Sequence, residues 1–136
     1  MSAPLPRVLL MEAQFVLRRT IVMVARDLGM VDFDEASNVG RVRTLMSTEA
    51  YAGLVLDLED RSLTMALLSD LRQGKFACPA DVPVVVLAAD IHPEDSSRLA
   101  TLGVSRVLRK PVRIRDILNA LELDVASRTI IGPFVE

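Results

Sequence analysis

An α/β fold, a parallel sheet between helices on both faces, is predicted by three observations. Short, solidly apolar runs alternate along the chain with stretches of helical period. Those runs, among them Leu54-Val55-Leu56 and Val84-Val85-Val86-Leu87, are continuous rather than alternating, as in parallel strands buried on both faces. Glu12, Asp57 and Lys110 each stand just past the end of a predicted strand. Ligands of open α/β sheets bind outside the carboxyl ends of the strands, so these charges fall where such a fold holds its chemistry.

The chain's 136 residues suffice for one domain with a buried core, and an apolar content of 51% excludes a disordered chain. Residues 1–126 are read as that domain and residues 127–136 as a C-terminal tail without a regular period. A net charge of −2 offers no surface for nucleic acid, and 4% aromatic residues without tryptophan argues against base stacking. The single cysteine, Cys78, cannot form an internal disulfide, which fits a reducing compartment. No apolar run reaches the roughly 18–20 residues of a membrane span. Residues 1–7 lack the basic-then-apolar layout of a signal peptide. A cytoplasmic location without membrane partners is expected.

Val8-Leu9-Leu10-Met11 is the first buried strand, closed by Glu12. Residues 14–28 place Phe15, Val16, Ile21, Val22, Val24, Ala25 and Leu28 near helical spacing, with Arg18, Arg19, Arg26 and Asp27 as a solvated face. Gly29 is the expected C-cap. Residues 30–36 alternate, which predicts a half-exposed edge strand. Ser37 or Asn38 caps a second helix to about Thr48, with Val39, Val42, Leu45 and Met46 inward. The third strand, Gly53-Leu54-Val55-Leu56, runs into Asp57. Residues 62–72 form a third helix through Leu63, Ala66, Leu67, Leu68 and Leu71. After a loop containing Pro79, residues 83–89 are the most hydrophobic run and a fourth buried strand. A fourth helix over residues 94–102 ends at Gly103, and a weaker strand over 104–108, broken by Arg106, stops at Lys110-Pro111. Residues 114–125 close the domain as a fifth helix with Ile117, Leu118, Leu121 and Val125 inward.

Strand and helix thus alternate five times, which calls for right-handed crossovers and a three-layer (βα)5 arrangement. Putting the alternating strand at an edge gives the flavodoxin-like order 2-1-3-4-5. Strands one and three are then neighbours. Glu12 and Asp57 meet at the switch point, and Lys110 closes on them from strand five. A charged residue that merely ends a strand is common, but a cation converging on an anionic pair is a candidate site. Glu59 and Asp60 read as solvated loop acids, with Asp60 a potential substitute carboxylate. His92 reads as an exposed loop histidine and Cys78 as a small loop residue. No G-x-G-x-x-G follows the first strand, so a dinucleotide site is not expected.

With these residues in place, the chain resembles the receiver domains of two-component response regulators over about residues 7–123. The likeness rests on Val8-Leu9-Leu10-Met11-Glu12, Leu54-Val55-Leu56-Asp57-Leu58, Pro83-Val84-Val85-Val86-Leu87 and Lys110-Pro111, in order and at matching spacing. It implies that Asp57 accepts a phosphoryl group from a histidine kinase or phosphotransfer protein and that Lys110 contacts the phosphoryl oxygens. It also implies that Glu12, Asp57 and the backbone carbonyl of Glu59 hold Mg²⁺, and that the peptide bond before Pro111 is cis. A carboxylate approaches a phosphoryl group against like charge, so cations at the site supply the electrostatic part of catalysis.

The sequence also departs from that pattern. Ala13 stands where a second carboxylate is usual, which predicts weak or absent Mg²⁺ binding. Ala88 replaces a hydroxyl residue and Val107 an aromatic one, which predicts little response of the fourth helix and fifth strand to phosphorylation. Arg61 replaces a proline often found after the acceptor. The expected function is a phosphorelay receiver whose own activity is at most self-phosphorylation and self-dephosphorylation on Asp57, acting on a downstream protein target. The alternative is a phosphorylation-independent pseudo-receiver that serves as a protein–protein interaction module. A flavodoxin-like small-molecule binder would need phosphate or flavin cradles that the loops lack.

Overall fold

The computed structural model describes residues 4–129, with side chains as far as Leu121. Strands β1 (Arg7–Met11), β2 (Asp32–Ala36), β3 (Gly53–Asp57), β4 (Val84–Ala88) and β5 (Arg106–Arg109) alternate with helices α1 (Phe15–Leu28), α2 (Val39–Thr48), α3 (Arg61–Arg72), α4 (Pro93–Thr101) and α5 (Ile114–Thr129). The sheet order is β2-β1-β3-β4-β5 and every neighbouring pair is parallel, the expected three-layer α/β arrangement.

The pleat sorts the strand residues between two cores. Leu9, Leu54, Leu56, Val84 and Val86 pack with Val42, Met46, Leu67, Leu68 and Leu71 of α2 and α3. Val8, Leu10, Val55, Val85 and Leu87 pack with Ile21, Val22 and Ala25 of α1 and Ile117 and Leu121 of α5. Every residue of β3 and β4 is buried, which is why these runs do not alternate. The edge strands β2 and β5 are only partly buried.

The register fixes the site. Met11 pairs with Leu56, so Glu12 follows beside Asp57. Asp57 pairs with Leu87, and Ala88 pairs with Arg109. Lys110 is therefore the next residue outward on β5, its amide bonded to the Ala88 carbonyl at 2.8 Å. The Lys110–Pro111 peptide bond is cis, as the resemblance implied.

Several expected details differ. On α1, Phe15 and Val16 are 65% and 75% exposed and Leu28 is exposed too. Only Ile21, Val22 and Ala25 of that helix are buried, because one face alone meets the sheet. On α3, Leu63 and Ala66 face outward, while Thr64 is buried and its hydroxyl donates to the Asp57 carbonyl at 3.2 Å. That helix begins at Arg61 because the Asp60 side chain caps it, accepting the Leu63 N–H at 3.2 Å. Cys78 lies in the loop between α3 and β4, as expected, but its side chain is part of the core; burial raises its thiol pKa, so it is not poised as a thiolate. Helix α5 continues to Thr129, past the expected end at Val125. The inward placement of Val125 and the tail over residues 130–136 lie outside the described residues.

Candidate functional site

Asp57 closes β3, and its carboxylate is almost fully buried at 3% exposure. Its two oxygens are treated differently. Oδ1 accepts the Glu59 N–H at 3.1 Å and faces the Lys110 ammonium at 3.3 Å. Oδ2 is buried without a hydrogen-bond partner. An unpartnered buried carboxylate oxygen is costly in a folded protein and marks a place where a ligand or ion completes the shell.

Glu12 is fully buried at the end of β1. Its Oε1 meets Lys110 Nζ at 2.8 Å, and its Oε2 accepts the Gln14 N–H at 3.0 Å. Lys110 therefore bridges both carboxylates. Burial alone would lower the lysine pKa, but Glu12 and Asp57 outweigh it and hold the group above its ordinary 10.5. The cation and the anionic pair expected from sequence are thus in direct contact.

Two clefts open on Asp57. One, of about 500 Å³, is lined by Ala13, Ser37, Asn38, Asp60 and Leu63 together with Asp57, Glu59 and Arg61. The other, of about 300 Å³, is lined by Gln14, Ala89, Asp90 and Lys110, again with Asp57, Glu59 and Arg61. Glu59 and Asp60 are exposed at the mouth. Asp60 is engaged as the α3 cap rather than free. Among the described residues no group of three or more His, Cys, Asp or Glu side chains could hold a metal ion. The donor set that does exist, Glu12 and Asp57 with the unpartnered Oδ2, suits a cation held by few protein ligands. Mg²⁺ tolerates that by retaining waters.

Two arginines belong to the site that sequence reading had placed elsewhere. Arg18, expected on a solvated face, is largely buried, pairs with Glu35 and donates from Nη1 to the Glu12 carbonyl at 2.8 Å. It clamps the turn that aims Glu12. Arg61, noted only as a missing proline, donates from Nε to Asp95 Oδ2 at 2.8 Å and from Nη2 to the Asp90 carbonyl at 2.5 Å. It ties the loop after β3 to the loop after β4. Asp95 in turn accepts the His92 N–H at 3.2 Å and caps α4. The Arg61 guanidinium holds the Asp95 carboxyl below the usual range, against the effect of burial and with help from His92. Nothing near Arg61 in the sequence betrays these bonds, because Asp90 and Asp95 lie 29 and 34 residues away.

No protein-family model matches the chain. The sensory/regulatory protein RpfC of Xanthomonas campestris pv. campestris (strain 8004) is 30% identical over 95 residues, which is 68% of this chain and 13% of that protein. A response regulator receiver domain protein (CheY-like) from Methanospirillum hungatei JF-1 superposes with a TM-score of 0.81 at 16% identity, covering 92% of this chain and 97% of the other. A response regulator from Burkholderia pseudomallei, solved with a phosphorylated aspartic acid, calcium ion and citrate, superposes with a TM-score of 0.73 at 18% identity, covering 91% and 71%. The chain has the receiver-domain fold. Among the described residues no helix is long and apolar enough to cross a membrane.

Proposed function

We propose that this chain is a phosphorelay receiver in the cytoplasm that accepts a phosphoryl group on Asp57 from a histidine kinase or phosphotransfer protein and passes the signal to a downstream protein. The observation that carries the reading is the asymmetry of Asp57, which lines both clefts. Oδ1 is held by the Glu59 N–H and Lys110, while Oδ2 is buried and unpartnered. In the proposed step Oδ2 attacks phosphorus and an O–P bond forms. The P–N bond of a phosphohistidine donor breaks, its electron pair stays on the imidazole nitrogen, and that nitrogen takes up a proton. Lys110 neutralises charge on the transferring oxygens, and the Glu59 N–H fixes the attacking carboxylate. Glu12 keeps Lys110 charged and aimed. Glu12, Asp57 and the Glu59 backbone are the groups that would hold Mg²⁺, which when bound offsets charge on the phosphoryl oxygens.

The test is intact-mass spectrometry after incubation with acetyl phosphate and Mg²⁺. One phosphoryl group on the wild-type protein and none on Asp57→Asn is the expected result. Failure of the wild-type protein to gain mass would favour the pseudo-receiver. That second reading is supported by Ala13, exposed in the cleft without a carboxylate, and by Ala88, buried at the end of β4 without a hydroxyl.

A further inference from the structure

We infer that Arg61 is a movable phosphoryl-binding cation that exchanges Asp95 for the phosphoryl group on Asp57, and thereby couples the site to the start of α4. The inference rests on phosphoryl acceptance at Asp57 and names how that event would be read out.

Lys110 and Arg61 are the cations among the residues lining the smaller cleft, and Arg61 lines the larger one as well. Lys110 is already shared between Glu12 and Asp57. Arg61 is shared between the Asp90 carbonyl, on the loop that leads from β4 into α4, and Asp95, in the first turn of α4. The Arg61 side chain is 36% exposed, so the guanidinium has room to leave the pair, whereas the Asp95 side chain, at 10%, does not follow it into solvent. Phosphorylation turns the single negative charge of Asp57 into the two of an acyl phosphate dianion, which projects toward the clefts that Arg61 lines. A guanidinium forks onto two phosphate oxygens as readily as onto a carboxylate. The greater charge and the added oxygens of the acyl phosphate then favour it over Asp95.

Release has a consequence at α4. Asp95 is only 7% exposed and also caps the helix through the His92 N–H. Once Arg61 leaves, a nearly buried carboxylate keeps a backbone N–H but loses its counter-ion, and the first turn of α4 must readjust. The path runs from α3 to α4 across the cleft mouth. It uses neither a hydroxyl at Ala88 nor a ring at Val107, so the first turn of α4 responds even though those two positions by themselves predict a silent α4 and β5.

The experiment compares the wild-type protein with Arg61→Gln and Asp95→Asn, using acetyl phosphate with Mg²⁺, intact mass for uptake and amide NMR shifts at matched occupancy. Arg61→Gln is expected to take up the phosphoryl group about tenfold more slowly, less than the roughly hundredfold that a buried oxyanion donor is worth. Asp95→Asn keeps an oxygen for the His92 N–H but removes the negative charge that holds Arg61, so its uptake is expected to be several-fold faster. On phosphorylation the amides of residues 92–96 shift in the wild-type protein and stay in place in Arg61→Gln. Equal uptake in all three proteins, or residues 92–96 responding alike with and without Arg61, overturns the exchange while leaving acceptance at Asp57 intact. No mass gain in the wild-type protein overturns the acceptance and the exchange with it.

Discussion

Lys110 Nζ lies 2.8 Å from Glu12 Oε1 and 3.3 Å from Asp57 Oδ1, so the lysine at the site is held more closely by Glu12 than by the residue it would assist. Glu12 and Asp57 are both buried, and Lys110 is the cation between them. Arrangements of this kind contribute little net stability when intact, yet removing one partner leaves uncompensated charge in a poorly solvated place.

Lys110→Met tests that relationship. The methionine stem preserves the packing, but two carboxylates then share the site without a cation. A loss of about 3 kcal/mol in urea unfolding at neutral pH is expected, the low end of what breaking a buried pair costs. Uptake from a small phosphodonor should fall as well. Unchanged stability would mean that the carboxylates are solvated well enough to do without the lysine.

Much of the fold could be read directly, because β3 and β4 are buried on both faces and so carry no polar residue before their ends. The convergence of Glu12, Asp57 and Lys110 was legible for a related reason. Strand order and register alone bring the carboxyl ends together. The exposed faces of α1 and α3 were not legible, since Phe15, Val16 and Leu63 are apolar residues that periodicity assigns inward. Arg61 escaped because its partners, Asp90 and Asp95, are distant in sequence, and Arg18 because one partner, Glu35, is distant and the other, the Glu12 carbonyl, is a backbone group across a turn. A charged residue in a helix reads as solvated unless the fold shows what it reaches.

Asp95 gives a pH signature. Arg61 lowers the carboxyl pKa in the folded state relative to the ordinary 3.8, against burial and aided by His92. A depressed folded-state value means that the unfolded chain takes up the proton first as pH falls. The stabilisation is therefore fully present above pH 3.8 and is lost as pH drops through the folded value. Asp95→Asn lacks this contribution at every pH. The stability gap between the two proteins, followed by denaturant titration, should be constant from neutrality down to about pH 5 and close as the pH goes further down. A gap that persists in acid would assign the difference to packing or capping instead.

The metal prediction turns on Ala13. Its side chain is exposed and lines the cleft that also holds Asp57, Glu59 and Asp60. Glu12 already serves Lys110 and the Gln14 N–H, and Asp60 serves the α3 cap. An incoming Mg²⁺ therefore finds one unpartnered carboxylate oxygen, the buried Asp57 Oδ2, and must compete with Lys110 for a second. Mg²⁺ gives up its waters reluctantly, so affinity should be weak. Ala13→Asp places a carboxylate in the cleft without a preassigned partner. Its attraction for a divalent ion should outweigh its repulsion of singly charged Asp57 at similar distance. The expected gain is about tenfold or more in affinity, roughly 1.4 kcal/mol. Glu12→Gln should weaken binding and Asp57→Asn should abolish it. The check is a Mg²⁺ titration of the four proteins at fixed ionic strength, since added salt screens these charges. Asp60 gives only Oδ1 to the helix cap, so an unchanged affinity in Ala13→Asp would mean either that Asp60 already supplies the second carboxylate or that the cleft beside Asp57 is not a metal site, and the same titration on Asp60→Asn separates the two.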